Sequence, residues 1–231
     1  MRWFNYLLWA ILLVWTIPAF AAEDDGIYSF VLADRLEYQS KDAAWVWDAQ
    51  GWIGGDYHKF WLKTEGQNEK GKATDAELQL LYSRAVTPFF DLQLGVRHDF
   101  EPEPSRTFAV IGLQGLAPQW IELDVAAFIS EDGDFSALLE LEYDLLLTQR
   151  LTLQPRIEFA LAAQEVVKQQ VGKGLTSTEL GLRLRYEVRR ELAPYVGITW
   201  HKTYGSTRKF IEAEGDRDAT VSFVTGIRFW F

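Results

Sequence analysis

Cysteine is absent from the 231-residue chain, which excludes disulfides, thiolate metal sites and cysteine nucleophiles. Methionine occurs once, as Met1, so thioether ligands have no residues to supply them. Histidine is limited to His58, His98 and His201. No G-x-S-x-G motif occurs, and Ser83, Ser136 and Ser222 have no histidine near them in sequence. Acyl transfer by serine needs such a base, and no enzyme is expected. A formal charge of −10 argues against a nucleic-acid partner, because phosphate binding needs a basic surface. Cationic ligands are compatible with it. Long apolar runs are lacking too. The run from Trp3 to Ile17 is shorter than the roughly 20 residues a helix needs to cross hydrocarbon, and nothing later is as apolar. Any membrane integration must therefore be by strands. Without a Pro- or Ser-rich spacer or a low-complexity tract, the chain reads as one domain.

What is present begins with an export signal. Met1, Arg2 and Trp3 give a basic start, Leu7 to Ile17 an apolar core, and Ala19-Phe20-Ala21 a small-residue cleavage site. These predict a signal peptide over residues 1–21 and a mature domain over residues 22–231. Beyond it, 48% hydrophobic and 15% aromatic residues coexist with 24% charged ones, as in strands with one apolar and one polar face. Ten tryptophans would serve interfacial girdles.

Period-two alternation supports this along the chain. Phe90, Leu92, Leu94, Val96 and Phe100 oppose Asp91, Gln93, Gly95, Arg97 and Asp99. Leu180, Leu182, Leu184 and Tyr186 alternate with Glu179, Gly181, Arg183 and Arg185. In the first strand Phe30, Leu32, Leu36 and Tyr38 are placed on one face, interrupted by Asp34. Gln67 to Thr74 and Gly205 to Asp218 read as polar loops, and Ala162 to Gly174 as the longest connection. The last strand puts Val221, Phe223, Ile227, Phe229 and Phe231 on one face and Ser222, Arg228 and Trp230 on the other.

A soluble β-sandwich also alternates. The export signal, the terminal aromatic and the recurrence of charge on inner faces favour an all-β transmembrane antiparallel β-barrel in the outer membrane. It would have about twelve strands, ten being the alternative count, and a wet lumen of mixed charge.

Particular stretches carry a resemblance. Trp47-Asp48-Ala49-Gln50-Gly51-Trp52-Ile53-Gly54-Gly55-Asp56-Tyr57, Glu142-Tyr143-Asp144-Leu145-Leu146-Leu147-Thr148-Gln149-Arg150-Leu151 and Glu179-Leu180-Gly181-Leu182-Arg183-Leu184-Arg185-Tyr186-Glu187 resemble the copper resistance protein B family of outer-membrane proteins. The closing Gly226-Ile227-Arg228-Phe229-Trp230-Phe231 agrees. The resemblance implies copper tolerance, by binding copper ions or easing their passage across the outer membrane. Its implied partners are outer-membrane lipid, copper ions and a periplasmic copper protein. Family members commonly carry a Met-, His- and Asp-rich segment ahead of the barrel. Here only Glu23-Asp24-Asp25 is expected before the first strand, and any copper site must use imidazole and carboxylate, which suit Cu(II) better than Cu(I). The alternative is a small cation pore or structural barrel without dedicated copper binding.

His58 with Asp56, His98 and His201 are the candidate metal ligands, although solitary histidines near strand ends are commonly interfacial. His98 is expected to point with Phe90 and Leu92 toward lipid. Glu122, Asp124, Glu140, Glu142 and Asp144 place carboxylates at alternate positions and would form an acidic lumen wall on neighbouring strands. Ion pairs with the arginines on the same faces would instead plug the barrel, leaving cation passage only to carboxylates that stay unpaired.

Overall fold

The computed structural model describes residues 26–41, 43–213 and 215–231. The expected signal peptide lies outside the described residues. The strands are β1 (Tyr28–Gln39), β2 (Ala44–Gly54), β3 (His58–Glu69), β4 (Lys72–Thr87), β5 (Phe90–Glu101), β6 (Arg106–Ala117), β7 (Ile121–Ser130), β8 (Phe135–Tyr143), β9 (Leu145–Leu146), β10 (Leu151–Ala162), β11 (Gly174–Tyr186), β12 (Leu192–Thr203) and β13 (Ala219–Trp230). Strand β9 continues the line of β8, so these make a closed antiparallel barrel of 12 staves. Closure joins β13 to β1, where Val31 and Phe231 exchange both backbone hydrogen bonds, at 3.0 and 2.9 Å. Closure leaves no free sheet edge in the wall, the condition hydrocarbon imposes.

The first and last described residues and the connections 55–57, 88–89, 118–120, 147–150 and 187–191 share one end, here the terminal end. The two longest connections, 163–173 and 204–218, lie at the other. Short turns mark the periplasmic side of outer-membrane barrels and longer loops the exterior.

Three sequence expectations are corrected. The supposed loop at Gln67 to Thr74 is mostly strand: β3 and β4 meet in a tight turn at Lys70 and Gly71, whose φ angles of 49° and 89° are those of a type I′ hairpin. The segment from Gly205 to Asp218 contains a helix, α1 (Gly205–Ala213), and belongs to the longest connection. It is anchored where Gly172 N–H donates to the buried Thr207 hydroxyl at 2.7 Å. In β1, the alternation changes phase. Ala33 pairs with Ala49 but Arg35 with Asp48, so one strand carries an extra residue at Asp34. This β-bulge re-aims the side chains beyond it. Phe30 and Leu32 face the lumen, Leu36 and Tyr38 face outward, and Arg35 and Glu37 turn inward and are buried.

The outer wall decides between sandwich and barrel. Leu62, Leu80, Leu94, Val96 and Ile111 are exposed on adjoining staves, with Leu62 opposite Leu80, Leu80 opposite Val96 and Leu94 opposite Ile111. A contiguous apolar band of this extent would be untenable in water and suits lipid. Aromatics flank it: Tyr57, Phe60, Tyr82, Trp120 and Tyr186 toward the terminal end, Trp45, Phe100 and Phe135 toward the other, as interfacial girdles do.

Inside, the lumen is not uniformly polar. Leu81, Phe108, Val110 and Phe128 form a buried cluster, joined by Trp61, Ala126 and Leu138. The Arg97 guanidinium lies 5.5 Å from the Phe108 ring and 4.9 Å from the Phe128 ring, cation–π contacts that cover the cluster.

One seam is weak. Between β8 and β10, ladder pairing runs from Ser136 to Glu142 and resumes at Leu145 and Leu146. Pro155, without an N–H, sits at the interruption, where it removes a ladder donor. Gln154 Nε2 donates to Glu142 at 2.8 Å and partly bridges the gap. In vesicle-reconstituted protein, amides of residues 144–146 and 152–154 are expected to exchange with deuterium faster than those of β5 and β6. Equal protection across these staves would refute the weak seam.

Candidate functional site

The bulge in β1 builds the middle of the lumen. Arg35, 3% exposed, reaches Asp48 at 3.1 Å, Glu65, and Glu179 at 3.5 Å. From the facing wall Arg156, also 3% exposed, contacts Glu140, Glu142 at 3.2 Å, Glu158 at 2.5 Å and Glu179 at 3.0 Å. Glu179 is shared, so a chain of charges runs from β3 through β1 and β11 to β10 and β8. This is a transverse plug. A guanidinium removed from water requires several acceptors to offset desolvation, and each of these has them.

Beside the plug, Arg183 forms a two-point pair with Glu37, both contacts at 3.0 Å, and the Tyr195 hydroxyl donates to the same carboxylate at 3.1 Å. Glu37 is wholly buried. Lys63 crosses from β3 to Asp124 on β7 at 2.8 Å, Arg185 pairs with Asp144, and Arg228 holds Asp34 at 2.5 Å. Asp34, Arg35, Glu37, Glu65 and Tyr195 were missed by sequence reasoning. Their signal was the run Asp34-Arg35-Leu36-Glu37, which breaks alternation in the manner of a bulge.

Between the plug and the terminal end lies a cavity of about 540 Å³. It reaches Pro88, Phe89 and Leu116 at the turns of that end. Its walls carry Asp34, Asp48, Glu65, Glu77, Asp91, Glu122, Asp124, Glu140 and Glu142, against Lys63 and Arg228. The expected acidic wall is therefore real: Glu122 stands opposite Glu142 and Asp124 opposite Glu140 on β7 and β8. The expected ion pairs are real as well. Asp124, Glu140, Glu142 and Asp144 are paired, whereas among the described residues Glu122 makes no ion pair or hydrogen bond.

The histidines do not meet. His58 sits on the outer face of β3, stacked on Tyr82 with centroids 5.8 Å apart and its Nδ1 against the Tyr82 hydroxyl, while Asp56 lies in the preceding turn. His98 is on the outer face of β5, as expected, hydrogen-bonded to Thr107 at 2.9 Å and edge-on to Phe100. His201 faces the lumen on β12, opposite Glu179 on β11. Among the described residues no three His, Asp or Glu side chains converge as a metal-holding set. Among the described residues His201 is the imidazole that faces the lumen, opposite the Glu179 carboxylate.

A closed barrel with a lipid-facing apolar band, aromatic girdles and a charged lumen is an outer-membrane β-barrel of the porin-like kind. Its fold is similar to the NanC porin, with a TM-score of 0.55 at 13% identity, over 87% of this chain and 99% of that one. The chain belongs to the copper resistance protein B family: the family profile, "Copper resistance protein B precursor (CopB)", matches residues 27–231. It is 46% identical to copper resistance protein B of Escherichia coli, over 91% of this chain and 72% of that protein. To the copper resistance protein B homolog of Pseudomonas syringae pv. tomato it is 41% identical, over 90% and 71%. The protein resides in the outer membrane and has a role in copper resistance.

The Glu37 pair provides a stability test. Arg183→Met strands a buried carboxylate and is expected to cost about 3–5 kcal/mol, read as a lower urea midpoint in vesicles. Glu37→Gln with Arg183→Met removes both charges and should recover most of that loss. A single variant as stable as the parent would show that the pair is energetically idle.

Proposed function

We propose that the barrel serves copper resistance by gathering copper ions into its carboxylate-lined lumen and easing their movement across the outer membrane. The observation that carries this reading is the cavity below the plug, where nine carboxylates line the wall: Arg35, Lys59, Lys63, Arg97, Arg156 and Arg228 pair with eight of them, and Glu122 is left over. Low-dielectric walls of one dominant sign focus the field and raise the local concentration of counter-ions. The names of the relatives supply the metal, and the ligand types suit Cu(II). Glu122 is the carboxylate free to take an arriving cation. The remaining carboxylates exchange partners with arginines, so an ion can be handed on without being trapped. The family and the porin-like fold support a reading without catalysis. Rapid steady leakage would not be expected, because the plug and the apolar cluster fill much of the cross-section.

A specific observation also favours the structural alternative: the plug is tied at both walls, as in a barrel that conducts nothing. Copper titration separates the two. Refolded protein should bind Cu(II), read as quenching of tryptophan fluorescence. Glu122→Gln with Asp124→Asn should weaken binding roughly tenfold, which is about 1.4 kcal/mol, and raised salt should weaken it further. His58→Ala with His98→Ala should change little, since both rings lie on the outer wall. Absence of Cu(II) binding, together with unchanged copper tolerance in a deletion strain, would favour the structural barrel.

A further inference from the structure

We propose that His201, Glu179 and Thr199 form an outer copper site, and that Cu(II) held there opens the plug by drawing Glu179 away from Arg35 and Arg156. This rests on the copper-handling reading above and adds a ligand set and a gate to it. His201 lies two residues from the outward end of β12 (Leu192–Thr203), so an ion entering from outside meets it at the outer edge of the plug. Glu179 is its register partner on β11, and both face the lumen. Directly opposed residues on one face of a sheet have Cβ atoms about 5 Å apart, within reach of one shared ion.

Thr199 is two residues further into β12 on the same face. It is 4% exposed, and its hydroxyl has no hydrogen-bond partner among the described residues. A buried unpaired hydroxyl costs free energy, and a metal ion or its water would satisfy this one. Imidazole with carboxylate and hydroxyl oxygen suits Cu(II). Two strong ligands hold an ion loosely, as a transit site requires.

The same carboxylate is the tie of the plug. One oxygen, Glu179 Oε1, lies 3.0 Å from Arg156 Nη1 and 3.5 Å from Arg35 Nη1. Around these two guanidinium groups stand six carboxylates: Asp48, Glu65, Glu140, Glu142, Glu158 and Glu179. Each arginine keeps other partners when Glu179 leaves, so neither is stranded. Removing Glu179 severs the one carboxylate common to both, and the plug divides into a β1 half and a β10 half. The arriving ion compensates the excess of negative charge as it does so.

The test is conductance of the full chain in a planar bilayer, in potassium chloride, with micromolar Cu(II) added to the loop side. The parent protein should be nearly closed without copper and open severalfold with it. Glu179→Gln should conduct without copper, since a neutral amide cannot hold both guanidinium groups. His201→Ala should stay closed in copper, and Thr199→Val should need more copper to open. Folding of each variant is checked by its heat-modifiable mobility on gels. If Glu179→Gln fails to fold, the His201 and Thr199 variants decide. A parent protein that binds Cu(II) in titration yet shows no copper-dependent opening would overturn the gate and leave copper binding intact. Opening of His201→Ala at the same copper concentration as the parent would overturn the site.

Discussion

The structure depends on how charge is kept inside a narrow wall. An isolated guanidinium in a low-dielectric interior is prohibitively expensive, and a carboxylate is no cheaper. Arg35, Arg156 and Arg183 are all nearly or wholly buried; Arg35 and Arg156 each gather several carboxylates, and Arg183 holds Glu37 at two points. Because some pairs cross the lumen between staves that are not neighbours, as Arg35 with Glu179 and Lys63 with Asp124 do, the ion pairs fix the cross-section of the barrel as well as its charge. The apolar band outside sets where the protein lies in the membrane, but it has no say in the shape of the lumen. That shape is set by side chains that must find each other or remain unsatisfied.

The barrel itself was legible in the chain. Alternation such as that of β5 requires only a period of two, and the structure keeps Phe90, Leu92 and Leu94 outside and Asp91, Gln93 and Arg97 inside. Two kinds of feature were not fully legible. A bulge alters phase by one residue without altering composition, so β1 was assigned one apolar face although Leu32 and Leu36 lie on opposite sides. The inward apolar cluster was legible only in part: parity sets Phe108 with Arg106 and Phe128 with Asp124 on inner faces, but that they pack together depends on neighbours across strands. Lys70-Gly71 was a missed turn signal of a different sort: polar residues around it suggested a loop, whereas the backbone needed just two residues of positive φ.

The candidate site was legible in its parts and not in its assembly. The acidic wall of β7 and β8 followed from alternation, and the arginines were recognised as possible partners. Which carboxylate would be left over could not follow, because pairing depends on distances across the lumen. The histidines show the same limit. All three lie near strand ends, yet only His201 faces inward beside a carboxylate, and parity alone placed His98 outside.

Closure has a further consequence. The contact between Arg228 and Asp34 spans 194 residues, and the backbone bonds between Val31 and Phe231 lie at the same joint. Until that joint forms, the sheet has two free edges and an apolar face with no lipid around it. Contacts so distant in sequence form slowly, and unpaired strand edges invite association with other chains. A chain of this kind therefore has its most hazardous moments between export and insertion. The demand that those edges stay apart from other chains until the joint forms follows from the topology of the ring, whatever ion the finished barrel handles.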